Sequence, residues 1–265
     1  MPRSCRDGSR SCSWTRPSAS RALVAGAIGP VRGATVRAGT SPARGAGRGI
    51  GQAIAEALNA NGARVAALDL EAPTHPDILG VACDVSDEAA VHEAFDRVEA
   101  DLGPVSVLVL NAGIFPVVPF VEMTKEIWDR TLAINLTGAF LCAHRAIPGM
   151  REQRYGRIIA IGSSAGKSGG AKAVAAYAAS KAGIMAMTKS IANEFAREGI
   201  TANALAPSLI DTPMIAGSRE LMDRIPVGRF GKPEEVAALV CFLASEDAAY
   251  ITGEVTDING GFLID

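Results

Sequence analysis

Tyr177 and Lys181, in the run Tyr177-Ala178-Ala179-Ser180-Lys181, are the residues of this sequence best suited to moving a proton. Four apart on an α-helix, they lie one turn from each other on the same face. The flanks Ala175-Ala176 and Ala182-Gly183-Ile184-Met185-Ala186-Met187 are apolar and contain good helix formers, so the spacing predicts a helix here. A phenol ordinarily loses its proton near pH ~10. A neighbouring ammonium favours the phenolate and brings that pKa toward working pH, giving a general acid/base for interconverting hydroxyl and carbonyl. Taken alone, the same spacing also fits a packed tyrosine beside a solvated lysine, so the other motifs must decide.

A second group of residues is suited to holding a dinucleotide. Gly45-Ala46-Gly47-Arg48-Gly49-Ile50-Gly51 leads into Gln52-Ala53-Ile54-Ala55-Glu56-Ala57-Leu58, an apolar-periodic helix. Glycines let a backbone turn tightly against a pyrophosphate, and a helix start offers unpaired N–H groups and the positive dipole end. Asp69 follows Gly51 by 18 residues, at the end of the apolar run beginning at Arg64. A carboxylate at that separation can bind an adenosine ribose hydroxyl and repels a 2′-phosphate, which predicts NAD in preference to NADP. Arg48 works against that preference, since an arginine in the turn can pair with a phosphate.

Positioning such groups takes strands and helices in alternation. Arg64-Val65-Ala66-Ala67-Leu68-Asp69-Leu70, Val105-Ser106-Val107-Leu108-Val109-Leu110 and Arg157-Ile158-Ile159-Ala160-Ile161 read as buried strands, and the stretches from Glu88 to Asp101 and from Lys125 to Leu132 as amphipathic helices. That alternation predicts one α/β domain over residues 44–265, a Rossmann-type doubly wound parallel sheet with helices on both faces. A strand should directly precede the glycine turn, yet Arg37 to Arg44 contain Pro42 and no apolar run. The best strand-like candidate, Ala22-Leu23-Val24-Ala25, lies some twenty residues too early. Either a poor strand forms at 37–43 or the first strand is compromised. Residues 1–43 also differ in composition: Met1 to Arg44 hold eight arginines and one acid, Asp7. A transit peptide has that bias, as does an out-of-frame or misassigned start in GC-rich DNA, which the missing strand favours.

The 265 residues are 48% hydrophobic and 20% charged, which is the composition of a soluble globular chain. A net charge of −2 suggests neither nucleic acid nor a membrane surface as partner, and no apolar stretch reaches the ~18 residues of a membrane span. Cys5, Cys12, Cys83, Cys142 and Cys241 show no CxxC spacing, and His75, His92 and His144 form no metal-spaced pair. A reducing cytoplasm is the simplest compartment.

From about Gly45 to the C-terminus these motifs, in this order, resemble the short-chain dehydrogenase/reductase family. Arg44-Gly45 through Gly51 is similar to its TGxxxGxG turn, with Arg in place of Thr. Asp84-Val85 resembles its adenine-contacting pair, and Asn111-Ala112-Gly113 its NAG motif beside the cofactor. Asn135 resembles the asparagine that holds a water in the family's proton relay, and Tyr177 with Lys181 its YxxxK pair. Pro207, Ile210, Asp211, Thr212 and Pro213 resemble the segment gripping the nicotinamide carboxamide, with Ser208 for the common Gly. Asp257-Ile258-Asn259-Gly260-Gly261 resembles a tail that packs at a subunit interface, implying a homotetramer or homodimer. The catalytic serine is Ser163 by its place after the strand and three before Gly166, or Ser164 by counting thirteen back from Tyr177; the first count is preferred.

The resemblance implies hydride transfer between a nicotinamide and a carbonyl. Tyr177 would exchange the proton, Ser163 would stabilise the oxygen, Lys181 would lower the Tyr177 pKa and bind ribose, and Asn135 would connect Lys181 to solvent. Among its members the chain looks like 3-oxoacyl-[acyl-carrier-protein] reductases. Those usually take NADPH, against Asp69, and dock an acidic carrier through basic residues. Arg154 suits that, but Glu198 stands where an arginine is expected. Ile114 to Phe120 and a lid over 212–230, with Met214, Ile215, Leu221, Met222 and Ile225, are apolar. The sequence therefore favours a neutral secondary alcohol or ketone as substrate. A non-catalytic Rossmann-type binding protein, or a defective product lacking its first strand, is the reading from another class.

Overall fold

Short apolar runs without alternation are strands buried on both faces, and the chain assembles seven of them into one parallel sheet. The structure, a computed structural model, describes residues 21–25, 49–212 and 219–264. In chain order the elements are β1 (Arg21–Ala25), α1 (Gly49–Ala60), β2 (Arg64–Asp69), β3 (Leu79–Ala82), α2 (Glu88–Leu102), β4 (Val107–Leu110), α3 (Lys125–Leu132), α4 (Gly138–Gln153), β5 (Gly156–Ile161), α5 (Ser164–Ser168), α6 (Ala175–Phe195), β6 (Ile200–Pro207), α7 (Pro233–Ala244) and β7 (Val255–Ile258). The sheet order is β3-β2-β1-β4-β5-β6-β7. This is the doubly wound Rossmann arrangement expected from the sequence.

Local chemistry sets the helix ends. Asp87 caps α2 by accepting from the Ala90 N–H at 3.0 Å, and Gly103 ends it at φ 87°. Thr124 caps α3 through the Ile127 N–H, and Pro233 opens α7 where a missing N–H costs nothing.

β1 corrects two expectations. The strand-like run near residue 22 is not too early: it is the central strand, paired with β2 from Arg21↔Arg64 and with β4 from Ala22↔Val107. The boundary drawn at 43/44 therefore cuts through the fold, because five residues of the arginine-rich segment complete the sheet. Period-2 packing explains why this run was selected. Leu23 enters the core under α2, α4 and α6 with Leu68, Phe95, Leu108 and Ile158. Ala22 and Val24 enter the opposite core with Ile54, Val65, Val109 and Val240. Residues 37–43, the other proposed strand, and the turn residues Gly45 and Arg48 lie outside the described residues.

Leu23 is fully buried, so Leu23→Ala should cost about 2–5 kcal/mol of unfolding free energy in urea titrations. A loss below about 0.5 kcal/mol would mean that this run is not the central strand.

Candidate active site

β1 and β4 are neighbours in the sheet, yet the chain leaves them in opposite lateral directions. Such a reversal opens a crevice beyond the carboxyl ends of the strands. β4 delivers Asn111-Ala112-Gly113-Ile114 to that point, and a fully buried side chain clamps its exit. Asn135 Oδ1 accepts from the Ile114 N–H at 2.8 Å, and its Nδ2 donates to the Ile114 carbonyl at 3.0 Å and to Ser180 Oγ at 3.0 Å. Ser180 Oγ in turn donates to the Tyr177 carbonyl at 2.7 Å. Asn135 sits in a π-helical turn, Ala133–Thr137, between α3 and α4. Such turns offset the helix by one residue and recur at functional sites. Its amide hydrogens are thus both committed within the chain.

Tyr177 and Lys181 project from α6 as their spacing predicts. Lys181 is 4% exposed; its Nζ donates to the Ile161 carbonyl at 2.7 Å and lies 5.9 Å from the Tyr177 ring centre. Desolvation lowers its pKa to about 8. Tyr177 is half-buried, and burial raises its pKa; Ser163, facing the phenol, opposes the rise. The expected lowering by Lys181 is therefore corrected. The ammonium is turned to the Ile161 carbonyl, and desolvation dominates the phenol. Phe115 closes the other side, its ring edge-to-face with Tyr177 at 4.7 Å between centres.

The structure separates the two serines. Ser163 N-caps α5, its Oγ accepting from the Ala165 N–H at 3.1 Å, and it is the serine that faces the Tyr177 phenol and opposes the rise of its pKa. Ser164 starts α5 and its carbonyl accepts from Ser168 Oγ at 3.0 Å. α5 lies tight on α6: a Cβ on Gly166 would stand 2.7 Å from the Ala182 nitrogen and 2.8 Å from the Lys181 carbonyl carbon.

Several residues expected to hold a cofactor converge on the same crevice. Gly49, at φ 63°, begins α1 with Ile50 and Gly51 behind it, and Thr212 lies over it, 3.5 Å from where a Cβ would be. Pro207 ends β6, and Ile210 is buried and bridged to Gly231. A Cβ on Gly113 would stand 3.3 Å from Asn135 Oδ1 and 3.4 Å from Lys181 Nζ, so the bare backbone there leaves room against the lysine. Asp69 ends β2, 7% exposed, with Oδ1 accepting from the Leu70 N–H at 2.7 Å. Asp84 makes a turn onto Ser86 (2.9 Å to N, 2.6 Å to Oγ), and Val85 is buried. An acid at the end of β2, a helix start and a glycine beside a buried ammonium fit a dinucleotide laid across the carboxyl ends of the strands. Pro213, Met214 and Ile215 lie outside the described residues; Leu221 and Met222 fall in a 3₁₀ turn, Arg219–Arg224, and Ile225 is buried. Phe115 lies in the apolar run expected beside the reaction centre, whereas sequence reasoning missed Ser180 and the Ile161 carbonyl. Only Ser180 left a signal, as the polar residue inside the tyrosine–lysine turn.

A family model described as enoyl-(acyl carrier protein) reductase matches residues 45–263. The chain is 46% identical over 222 residues to the 3-oxoacyl-[acyl-carrier-protein] reductase MabA of Mycobacterium tuberculosis, covering 82% of this chain and 90% of that protein. It is 44% identical over 230 residues to the acetoacetyl-CoA reductase of Rhizobium meliloti, covering 82% and 95%. To the 3-oxoacyl-[acyl-carrier-protein] reductase FabG of Escherichia coli it is 40% identical over 230 residues, covering 82% and 94%.

The buried lysine makes stability depend on pH. Its proton is held near 10.5 in the unfolded chain but only to about 8 in the fold. The unfolded state therefore binds more protons between those values, and stability rises with pH across that window. Below pH 8 the penalty of burying the charge is present in full. The stability difference between the parent chain and Lys181→Met should move in the parent's favour by about 3 kcal/mol from pH 8 to 10.5. A flat difference in chemical denaturation would show that Lys181 is not desolvated.

Proposed function

The chain belongs to the short-chain dehydrogenase/reductase family, and from that premise we propose an NAD-linked dehydrogenase of small, neutral secondary alcohols and their ketones. Membership makes it an NAD(P)-dependent oxidoreductase acting between CH–OH and carbonyl groups. The grouping of Ser163, Tyr177 and Lys181 at the order reversal of the sheet supports the chemistry, and Asp69 at the end of β2 carries the NAD-linked reading.

Gly45, Arg48, Gly49, Ile50 and Gly51 would hold the pyrophosphate side, Asp69 the adenosine ribose, and Asp84 with Val85 the adenine. Asn111, Ala112, Gly113, Pro207, Ile210 and Thr212 would flank the nicotinamide half, with Tyr177 and Lys181 at its ribose. The bound nicotinamide supplies the hydride for reduction or accepts it in oxidation. In reduction, the carbonyl carbon gains the hydride and its oxygen gains the electron pair of the broken π bond. Tyr177 gives its hydroxyl proton to that oxygen and is reprotonated from solvent. A phenol whose pKa is raised by burial is held neutral, the form that donates. Ser163 accepts from Ala165 through one lone pair, leaving its hydroxyl hydrogen for the substrate oxygen or Tyr177. Lys181, with a pKa of about 8, stays mainly cationic at neutral pH and supplies positive potential beside the developing charge. The Asn135 side chain is spent on Ile114 and Ser180, so a water linking Lys181 to solvent would be held by backbone carbonyls there.

Asp69 supports NAD over NADP, because a buried carboxylate at the end of β2 opposes a 2′-phosphate. The relatives' activities favour a second reading, reduction of a 3-oxoacyl thioester. Against its carrier-protein form, Glu198 ion-pairs with Arg151 at 2.6 Å on the face where a carrier would need free positive charge. A homo-oligomer, dimer or tetramer, is supported by β7 as an open sheet edge and by Phe140, 48% exposed on α4. No helix among the described residues is long and apolar enough to cross a membrane, and we place the enzyme in the cytoplasm.

Titration with NADH and NADPH, read by nicotinamide fluorescence, should show tighter NADH binding; tighter NADPH binding would overturn the role of Asp69. Turnover is then measured on butan-2-ol, cyclohexanol, sorbitol and acetoacetyl-CoA. Preference for the thioester would select the second reading, and binding without turnover a non-catalytic one. Tyr177→Phe should lower turnover by at least ~100-fold while the Kd for NADH stays within about threefold.

A further inference from the structure

Ser163 stands between β5, from which Gly162 alone separates it, and α5, a helix of five residues that it caps. A helix that short does not hold itself in water. Gly169 ends it in the left-handed region at φ 81°, and Gly170 follows at φ 75°, so the helix is not extended beyond Ser168. α5 must therefore be fixed from outside. Gly166 fixes one side by its tight seat on α6. On the other side, Lys167 Nζ meets Asp257 Oδ2 at 2.5 Å, joining α5 to the edge strand β7, 90 residues away in sequence. The two side chains are 21% and 24% exposed, so the pair is screened less than an ordinary surface pair.

Asp257 carries a second, independent sign. Its Oδ1 is buried and has no hydrogen-bond partner among the described residues. A buried carboxylate oxygen without a donor is destabilising, and a neutral residue on an edge strand would avoid that cost. The carboxylate's compensating contact is Lys167.

We infer that Lys167 and Asp257 are positioning residues: their ion pair pins α5 to β7 and so holds Ser163 against Tyr177. Neither touches the reacting atoms. The inference rests on the proposed reading in which Ser163 and Tyr177 carry the chemistry.

The test uses Lys167→Met, Asp257→Asn and Lys167→Arg in the full chain. In the cofactor-free protein, amide hydrogen exchange over residues 163–168 should quicken at least about fivefold in the first two variants and stay near the parent rate in Lys167→Arg. With NAD and butan-2-ol, cyclohexanol and sorbitol as probes, kcat should fall about tenfold in the first two, with the Kd for NADH within about twofold. Lys167→Arg should retain at least about half of kcat, which loss of packing alone would not explain. The double variant Lys167→Met/Asp257→Leu leaves no unpaired charge and serves where a single variant fails to fold; it should show the same faster exchange. Unchanged exchange in Lys167→Met and Asp257→Asn overturns the inference, as does an arginine variant no better than methionine. If Tyr177→Phe keeps its turnover, the proposed chemistry fails whatever these variants do. If Tyr177→Phe is inactive while exchange and kcat stay at parent values, the positioning role alone fails.

Discussion

The parallel pairing of Arg21–Ala25 with strands on both sides is the constraint on which the rest of the molecule depends. Without that strand β2 and β4 have no common neighbour, and the sheet falls into two halves. With it, alternate side chains feed two separate cores: Leu23 goes to one face, Ala22 and Val24 to the other. The same strand creates the order reversal, so one pairing event provides both the burial that stabilises the fold and the crevice that holds the site. Its registers with β2 and β4 are non-local, 43 residues apart at Arg21↔Arg64 and 85 apart at Ala22↔Val107.

Around that crevice the structure places buried polar groups where each has a partner. Asn135 spends its amide on both backbone groups of Ile114 and on Ser180, and Ser180 returns to the Tyr177 backbone. A satisfied buried network is rigid because any displacement strands a desolvated group. The network ties the exit of β4 to α6, and Gly166 lets α5 approach α6 at backbone distance. Tyr177 is thus faced by Ser163 from α5, by Lys181 from its own helix and by Phe115 from the β4 exit.

What the sequence disclosed follows from how local each feature is. The tyrosine–lysine pair and α3, which runs over Lys125–Leu132 as read, are set within one or two helical turns. The α/β alternation was legible because doubly buried strands need uninterrupted apolar runs. β1 is visible as a run, but no glycine-rich turn follows it directly; strand selection in a parallel sheet depends on distant partners, which composition does not report. The serine is ambiguous in sequence because two counts differ by one residue across a glycine-rich loop, and only the fold shows which serine faces Tyr177. The π turn at Asn135 has no sequence period of its own. The direction of the Tyr177 pKa is not legible in the sequence, because spacing shows a nearby ammonium but not the burial that outweighs it.

That burial connects the electrostatics of the site to its mechanics. Removing water raises the pKa of the phenol and lowers that of the ammonium, so both groups are pushed toward neutrality by the same cause. The group that opposes the shift at Tyr177 is Ser163, the cap of a helix too short to stand alone. Burial sets the direction of the shift, and whatever holds α5 in place sets how far Ser163 opposes it. An edge strand at the far end of the chain, carrying a carboxylate with one unpartnered oxygen, lies within that circuit. The tuning of the acid group is distributed over the sheet rather than confined to the pair whose spacing first revealed it.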